Sequence, residues 1–230
     1  MKTNENPVYI LGIESSGLTS AISISRDGQV LAQTSLNIKN IHSRLLAQMT
    51  ERILAYTNVK AEDISALALS AGPGSFTGLR IGYSLAKGLA HGLNIPIVQV
   101  PTLNLWAYQH GEVEMPVLAL IDAHRNEIFC ALYRWHEGRM IQTGDYRLLP
   151  LNSLPEILDK PTVIVGGGAL KLKEELRKVC GEDLIFPKPF RISPQSWALH
   201  DLAYQKFLDK EISPADACEP QYMRAFKGIM

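Results

Sequence analysis

Two stretches of the chain hold residue types that can grip a phosphate. The first reads Ala71-Gly72-Pro73-Gly74-Ser75-Phe76-Thr77-Gly78-Leu79-Arg80-Ile81-Gly82. Its glycines permit positive φ and close backbone approach, and Pro73 stiffens the turn. Ser75 or Thr77 can cap a helix that follows, and a helix N-terminus under a glycine-rich turn can hold an anion. A strand-to-helix connector with a good cap is the plainer use of the same residues. The second stretch is Glu14-Ser15-Ser16-Gly17-Leu18-Thr19, with a glycine and hydroxyls that can face phosphates. A weaker candidate is Gly166-Gly167-Gly168, where Gly167 could sit against an adenosine or the run could simply end a strand. Metal chemistry has less to work with. The six histidines, His42, His91, His110, His124, His136 and His200, show no i, i+3 or i, i+4 pair. Cys130, Cys180 and Cys218 lie far apart with no CxxC spacing, as expected of free thiols in a reducing cytosol.

The elements that would carry these residues come twice. Val8–Ile13 is an apolar run ending in Glu14. A polar turn, an alternating strand at 21–25, the turn Asp27-Gly28 and a further strand at 30–36 follow. Val117–Ile121 is likewise apolar and ends in Asp122. Behind it come a polar turn, a strand at 128–133, the turn Glu137-Gly138 and a strand from Met140. A helix at 41–56, a strand at 64–70 running into Gly72-Pro73-Gly74, and a helix at about 77–93 complete the first copy. A short helix at 151–158, a strand at 162–165 running into the glycine triplet, and a helix at about 170–179 complete the second. A short strand at 97–100, bracketed by Pro96 and Pro101, closes the first lobe. Two copies of βββαβα predict an α/β protein of two similar lobes, residues 1–103 and 104–230, with a segment from about 214 packing back on the first. This is the order of the duplicated actin, sugar-kinase and Hsp70 fold, which binds nucleotide between its lobes. The second hairpin, Asp122-Ala123-His124-Arg125-Asn126, has bulk where a phosphate hairpin needs glycine, so a degenerate nucleotide cleft is expected.

Composition narrows the function classes. Of the 230 residues, 46% are hydrophobic and 20% charged, enough for a packed core. Lys and Arg total 23, as do Asp and Glu, and zero net charge disfavours a standalone nucleic-acid binder. No apolar run reaches the roughly 18 residues of a membrane span. The polar N-terminus lacks a secretory h-region, so a cytoplasmic protein is expected.

The string at residues 72–82 resembles the GPGSFTGLRIG signature of the TsaB family. Ile10–Ser16 resembles that family's opening strand and turn, His42-Ser43 the start of its first long helix, and Ile121-Asp122-Ala123 the opening of its second lobe. Glu219-Pro220-Gln221-Tyr222-Met223-Arg224 is similar to its C-terminal E-P-x-Y-L-R, with Met223 for Leu. Glu14 departs from the family's usual Asp and looks more like the catalytic paralogue, TsaD. That paralogue carries an HxxxH metal pair after the strand that follows its GPG helix. The matching segment here, Gln99–Ala107, has no histidine. The resemblance therefore implies no catalytic residue and no metal. It implies ATP or ADP binding only weakly or within a complex, through Ser15, Ser16, Gly17, Gly72, Gly74, Ser75 and Gly167.

The helices at 41–56 and 77–93 are apolar on more than one side, and Gly82, Gly88 and Gly92 interrupt the second. An interior helix glycine costs about 1 kcal/mol relative to Ala, so something should pack closely there. Part of that surface can be covered by the other helix. The resemblance implies that the remainder pairs with TsaD, through His42, Leu45, Leu46, Met49, Phe76, Leu79, Tyr83, Ala86, Lys87 and Ala90. It further implies self-pairing when the partner is absent, an ATPase partner TsaE, and only indirect contact with tRNA. The expected role is a non-catalytic scaffold of the tRNA threonylcarbamoyladenosine-modifying complex. The alternative is an ATPase or small-molecule kinase of the actin-like fold, for which Asp122 is the one obvious catalytic candidate.

Overall fold

A computed structural model describes residues 6–38, 42–158, 161–186 and 195–222, with backbone alone for 42–44. The chain forms two compact units. The first holds residues up to Val100 and takes back Gln195–Pro220; the second begins at Pro101. The first unit thus recovers more of the C-terminal region than the sequence pattern suggested, from residue 195 rather than about 214.

The first unit is built on a five-stranded sheet ordered β3-β2-β1-β4-β5. Its strands are β1 (Tyr9–Glu14), β2 (Thr19–Arg26), β3 (Gln29–Asn37), β4 (Ile64–Ser70) and β5 (Ile97–Val100). β1 is central, antiparallel to β2 and parallel to β4. Side chains alternate across the sheet. Leu11, Ile13, Ile22, Ile24, Leu67 and Leu69 join α1 (His42–Thr57) and α2 (Phe76–Leu93) in one core. The opposite face, with Gly12 and Ser23, meets α6 (Ser196–Leu208). This helix has no counterpart in the sequence reading. Ser196 and His200 are buried while Trp197 and Leu208 are exposed, so hydropathy does not trace its packed face.

The second unit repeats the plan with the order β11-β10-β6-β7-β8. Here β6 (Val117–His124) is central, antiparallel to β7 (Glu127–His136) and parallel to β10 (Thr162–Val165). β8 (Arg139–Gln142) and β9 (Arg147–Pro150) both pair with β7, and β11 (Leu184–Ile185) closes the far edge. The helix expected at 170–179 is two, α4 (Gly167–Lys171) and α5 (Lys173–Cys180), broken at Leu172. Residues 151–157 form a 3-10 segment. α3 (Thr102–Tyr108) packs Leu103, Trp106 and Ala107 against Val117, Ala119, Tyr133 and Val163. The matching strand order and direction in both units is the duplicated actin/sugar-kinase/Hsp70 architecture. Among the described residues no helix is long and apolar enough to cross a membrane.

Candidate functional site

β1 delivers Glu14 to the end of the first sheet, where the chain turns through Ser15, Ser16 and Gly17 into β2. Glu14 is only 4% exposed. Its Oε1 accepts the Ser16 amide at 2.7 Å and the Ser16 hydroxyl at 2.6 Å, and its Oε2 accepts the hydroxyl of Ser70 at the end of β4. Burial pushes the carboxyl up, and the three donors from Ser16 and Ser70 pull against that rise.

The turn then seats directly on the GPG segment. The Ser75 amide donates to the Ser16 carbonyl at 2.7 Å. A Cβ on Gly74 would collide with the Ser16 carbonyl, one on Gly78 with the Ser15 carbonyl, and one on Gly82 with the Ser15 hydroxyl. Gly78 and Gly82 are one turn apart on α2 and Gly74 lies just ahead of its N-cap, so together they clear a track for the turn. Ser75 caps α2, its Oγ accepting the Gly78 amide at 3.2 Å. The string at 72–82 is therefore used largely for packing inside the chain. Of the predicted phosphate contacts, Ser15, Ser16, Gly74 and Ser75 come together around this turn, with Gly72 two residues ahead of Gly74. Gly17 is partly exposed, and a Cβ there would meet nothing within 4 Å. Gly167 belongs to the other unit; its neighbours Gly166 and Gly168 press on β6, while Gly167 itself is exposed with open space.

The corresponding place in the second unit is Asp122. Its Oδ1 accepts the His124 amide at 2.8 Å, and its Oδ2 pairs with Lys171. Partial burial works to raise its pKa, but hydrogen bonds from Lys171 and the His124 amide outweigh it and hold the carboxyl below the usual range. His124, Arg125 and Asn126 take φ of 61°, 55° and 62°, so three consecutive side-chain-bearing residues make a left-handed turn. α3 occupies the segment compared with the paralogue's histidine helix. Its Thr102 and Trp106 are buried, and Asn104 Oδ1 accepts the hydroxyls of Tyr133 at 2.8 Å and Tyr146 at 2.6 Å. Among the described residues no three His, Cys, Asp or Glu side chains cluster as a metal site.

Most of the expected partner face is turned inward. Leu46, Met49, Leu79, Tyr83, Ala86 and Ala90 are buried in the first unit. The sheet and the α1–α2 contact consume them, so they are not available to a partner as the sequence reading expected. Leu45 is half-buried, and Phe76 is 41% exposed with the Arg80 guanidinium 3.8 Å from its ring centre. Lys87 is partly exposed and pairs with Glu219 at 3.3 Å. The side chain of His42 lies outside the described residues, as do Met223 and Arg224. The exposed row on α2 is instead Phe76, Arg80, Ser84, Gly88 and Gly92. Gly88 and Gly92 meet nothing within 4 Å. The C-terminal segment is anchored on the first unit. Gln99 donates to the Glu219 carbonyl at 2.9 Å and contacts the Tyr83 hydroxyl, while Cys218 is buried in the same core.

Comparison with known proteins places this architecture. The family model described as "TsaD: tRNA N6-adenosine threonylcarbamoyltransferase" matches residues 29–207. The tRNA threonylcarbamoyladenosine biosynthesis protein TsaB of Escherichia coli is 36% identical over 226 residues, covering 94% of each chain. The TsaB of Bacillus subtilis is 29% identical, covering 94% of this chain and 93% of its own. A solved structure titled YeaZ from Pseudomonas aeruginosa has a TM-score of 0.79 at 25% identity, covering 94% of this chain and all of its own. The 36% identity over nearly the full length of both chains, on a duplicated fold that carries the GPG helix, makes this chain a member of the TsaB (YeaZ-like) family.

Proposed function

We propose that this protein takes part in tRNA threonylcarbamoyladenosine biosynthesis as a non-catalytic subunit that binds and activates a TsaD-type transferase. The names of the related proteins support the pathway. The observation that carries the binding role is the contrast among the glycines of α2. Gly78 and Gly82 are filled by the chain's own turn, whereas Gly88 and Gly92 face open space. An exposed glycine inside a helix is unfavourable by about 1 kcal/mol against alanine, and close approach of another backbone is a use that offsets it. A partner helix from a similarly built first lobe suits such a row, flanked by half-buried Ile81, Leu85 and Leu89. A second copy of this chain can occupy the same face when the transferase is absent. An ATPase of the TsaE type completes the assembly, and tRNA is reached through the partner.

The non-catalytic part of the reading is supported by two engaged groups. Asp122, the acid a kinase would need, is paired with Lys171 and the His124 amide. The helix compared with the transferase's histidine helix buries Thr102 and Trp106. Nucleotide then binds weakly or only within the complex. The test is a pull-down with the transferase using Ser84→Glu plus Gly88→Glu, both on the exposed row. Binding should be lost while the melting curve stays cooperative. Undiminished binding by the folded double variant would move the interface elsewhere.

A further inference from the structure

The first hairpin has the parts of an anion seat, and Ser16 turns its amide and its hydroxyl to one of the chain's own side chains. A peptide N–H and a hydroxyl from Ser16 converge on Oε1 of Glu14, and the Ser70 hydroxyl reaches Oε2. Backbone amides and small hydroxyls converging at a turn are what a phosphate oxygen needs, and a carboxylate presents the same kind of acceptor. We propose that the Glu14 carboxyl occupies this seat as a built-in oxygen acceptor, so that inorganic phosphate, pyrophosphate and the phosphates of a nucleotide are shut out while the side chain is in place.

Three further observations agree. Glu14, Ser15, Ser16 and Ser70 are all nearly inaccessible, so the seat is closed by packing. The Ser75 amide at the start of α2 is spent on the Ser16 carbonyl, so that amide is not left for a ligand. Gly74, ahead of α2, and Gly78, on it, lock the turn in this position, since the Ser16 and Ser15 carbonyls lie where their Cβ atoms would be. The seat is thus set by β1, β4 and α2 together.

The test is titration of the isotope-labelled full chain with inorganic pyrophosphate, followed by the amide resonances of Ser16 and Ser70. The unmutated protein should show no saturable movement at these amides. Glu14→Ala should bind pyrophosphate at least about tenfold more tightly, a change of about 1.4 kcal/mol, with both amides moving together. Adding Ser70→Ala should reverse that gain. Glu14→Ser, whose hydroxyl can still satisfy Ser16, serves if the alanine variant does not fold. Saturable movement of the Ser16 amide in the unmutated chain would overturn the proposal. So would a gain below tenfold in a folded Glu14 variant, or a gain that Ser70→Ala leaves intact.

Discussion

Glu14 and Asp122 stand at the same place in two copies of one fold, and they have been put to opposite uses. Glu14 ends β1 and Asp122 lies two residues before the end of β6, and each accepts the backbone amide two residues on, at 2.7 Å and 2.8 Å. Glu14 is sealed in among hydroxyls, and burial drives its carboxyl up. Asp122 stands partly in solvent against a lysine, and its carboxyl is driven down. The turns behind them differ in the same sense. Ser15 and Ser16 are clamped against α2 through Gly74, Gly78 and Gly82. His124, Arg125 and Asn126 bulge outward in left-handed conformations. Equivalent topology therefore fixes where an acid sits, while the helix beneath the turn decides whether that acid is packed or free to pair at the surface.

Filling the track under the first turn should break this comparison most sharply. Gly78→Ala puts a methyl into the Ser15 carbonyl, an overpacking against backbone that should cost about 3 kcal/mol. Gly167→Ala, in the other unit's glycine triplet, meets open space and should cost far less by chemical denaturation. Equal losses at the two positions would refute the account of the clamp.

The buried histidine beneath the first sheet comes next. His200 is fully buried with Nε2 2.8 Å from Ser23 Oγ, and burial depresses its pKa from 6.5 to about 4. The fold holds it neutral, so the unfolded chain binds the extra proton. Its contribution is intact above pH 6.5 and is lost as pH falls towards about 4. The loss is on the order of 3 kcal/mol. His200→Gln should flatten that part of the stability–pH curve; an unchanged slope would assign it to other groups.

Gly88→Ala should raise the stability of the isolated chain by up to about 1 kcal/mol, because the position is exposed within a helix. The same variant should weaken transferase binding if a partner packs there. Stabilisation with full binding would mean that this glycine is not part of the contact.

The smallest effect belongs to the second unit's acid. Lys171→Ala should cost about 0–1 kcal/mol at neutral pH, since the lysine is largely solvent-exposed. The depressed carboxyl makes that cost disappear as pH falls through its folded-state pKa. A cost that persists in strong acid would point to packing of the lysine stem.

The central strands and both first hairpins were legible because apolar runs ending in an acid and glycine-marked turns are local signals. β4, β5 and β10 fall where the sequence pattern puts them, since short apolar runs bounded by Gly or Pro have few alternatives. α3 and α6 were not legible. Five of the seven residues of α3 are buried, which erases its period, and α6 buries Ser196 and His200 while exposing Trp197. Ser15, Ser16, Gly74 and Ser75 lie around one turn while Gly167 belongs to the other unit, and the engagement of Ser16 by Glu14 also draws on Ser70, 56 residues away in sequence. The partner face erred because a helix that is apolar on two sides does not announce which side its own sheet takes. Six of the ten expected contacts went to the core.

The return of α6 to the first sheet has a bearing on how the protein is made. Residues 9–100 contribute all five strands, yet the face carrying Gly12 and Ser23 stays uncovered until residues 196–208 have left the ribosome. At ordinary elongation rates of about 5–20 residues per second, that interval is roughly 5–20 s. Throughout it the nascent chain shows a sheet surface containing Ile10 and Ala21, and the second unit is being completed meanwhile. The first unit is therefore the last to be finished although it is the first to be begun, and a chain stopped near residue 100 would be an open half-sandwich that invites chaperones or proteases.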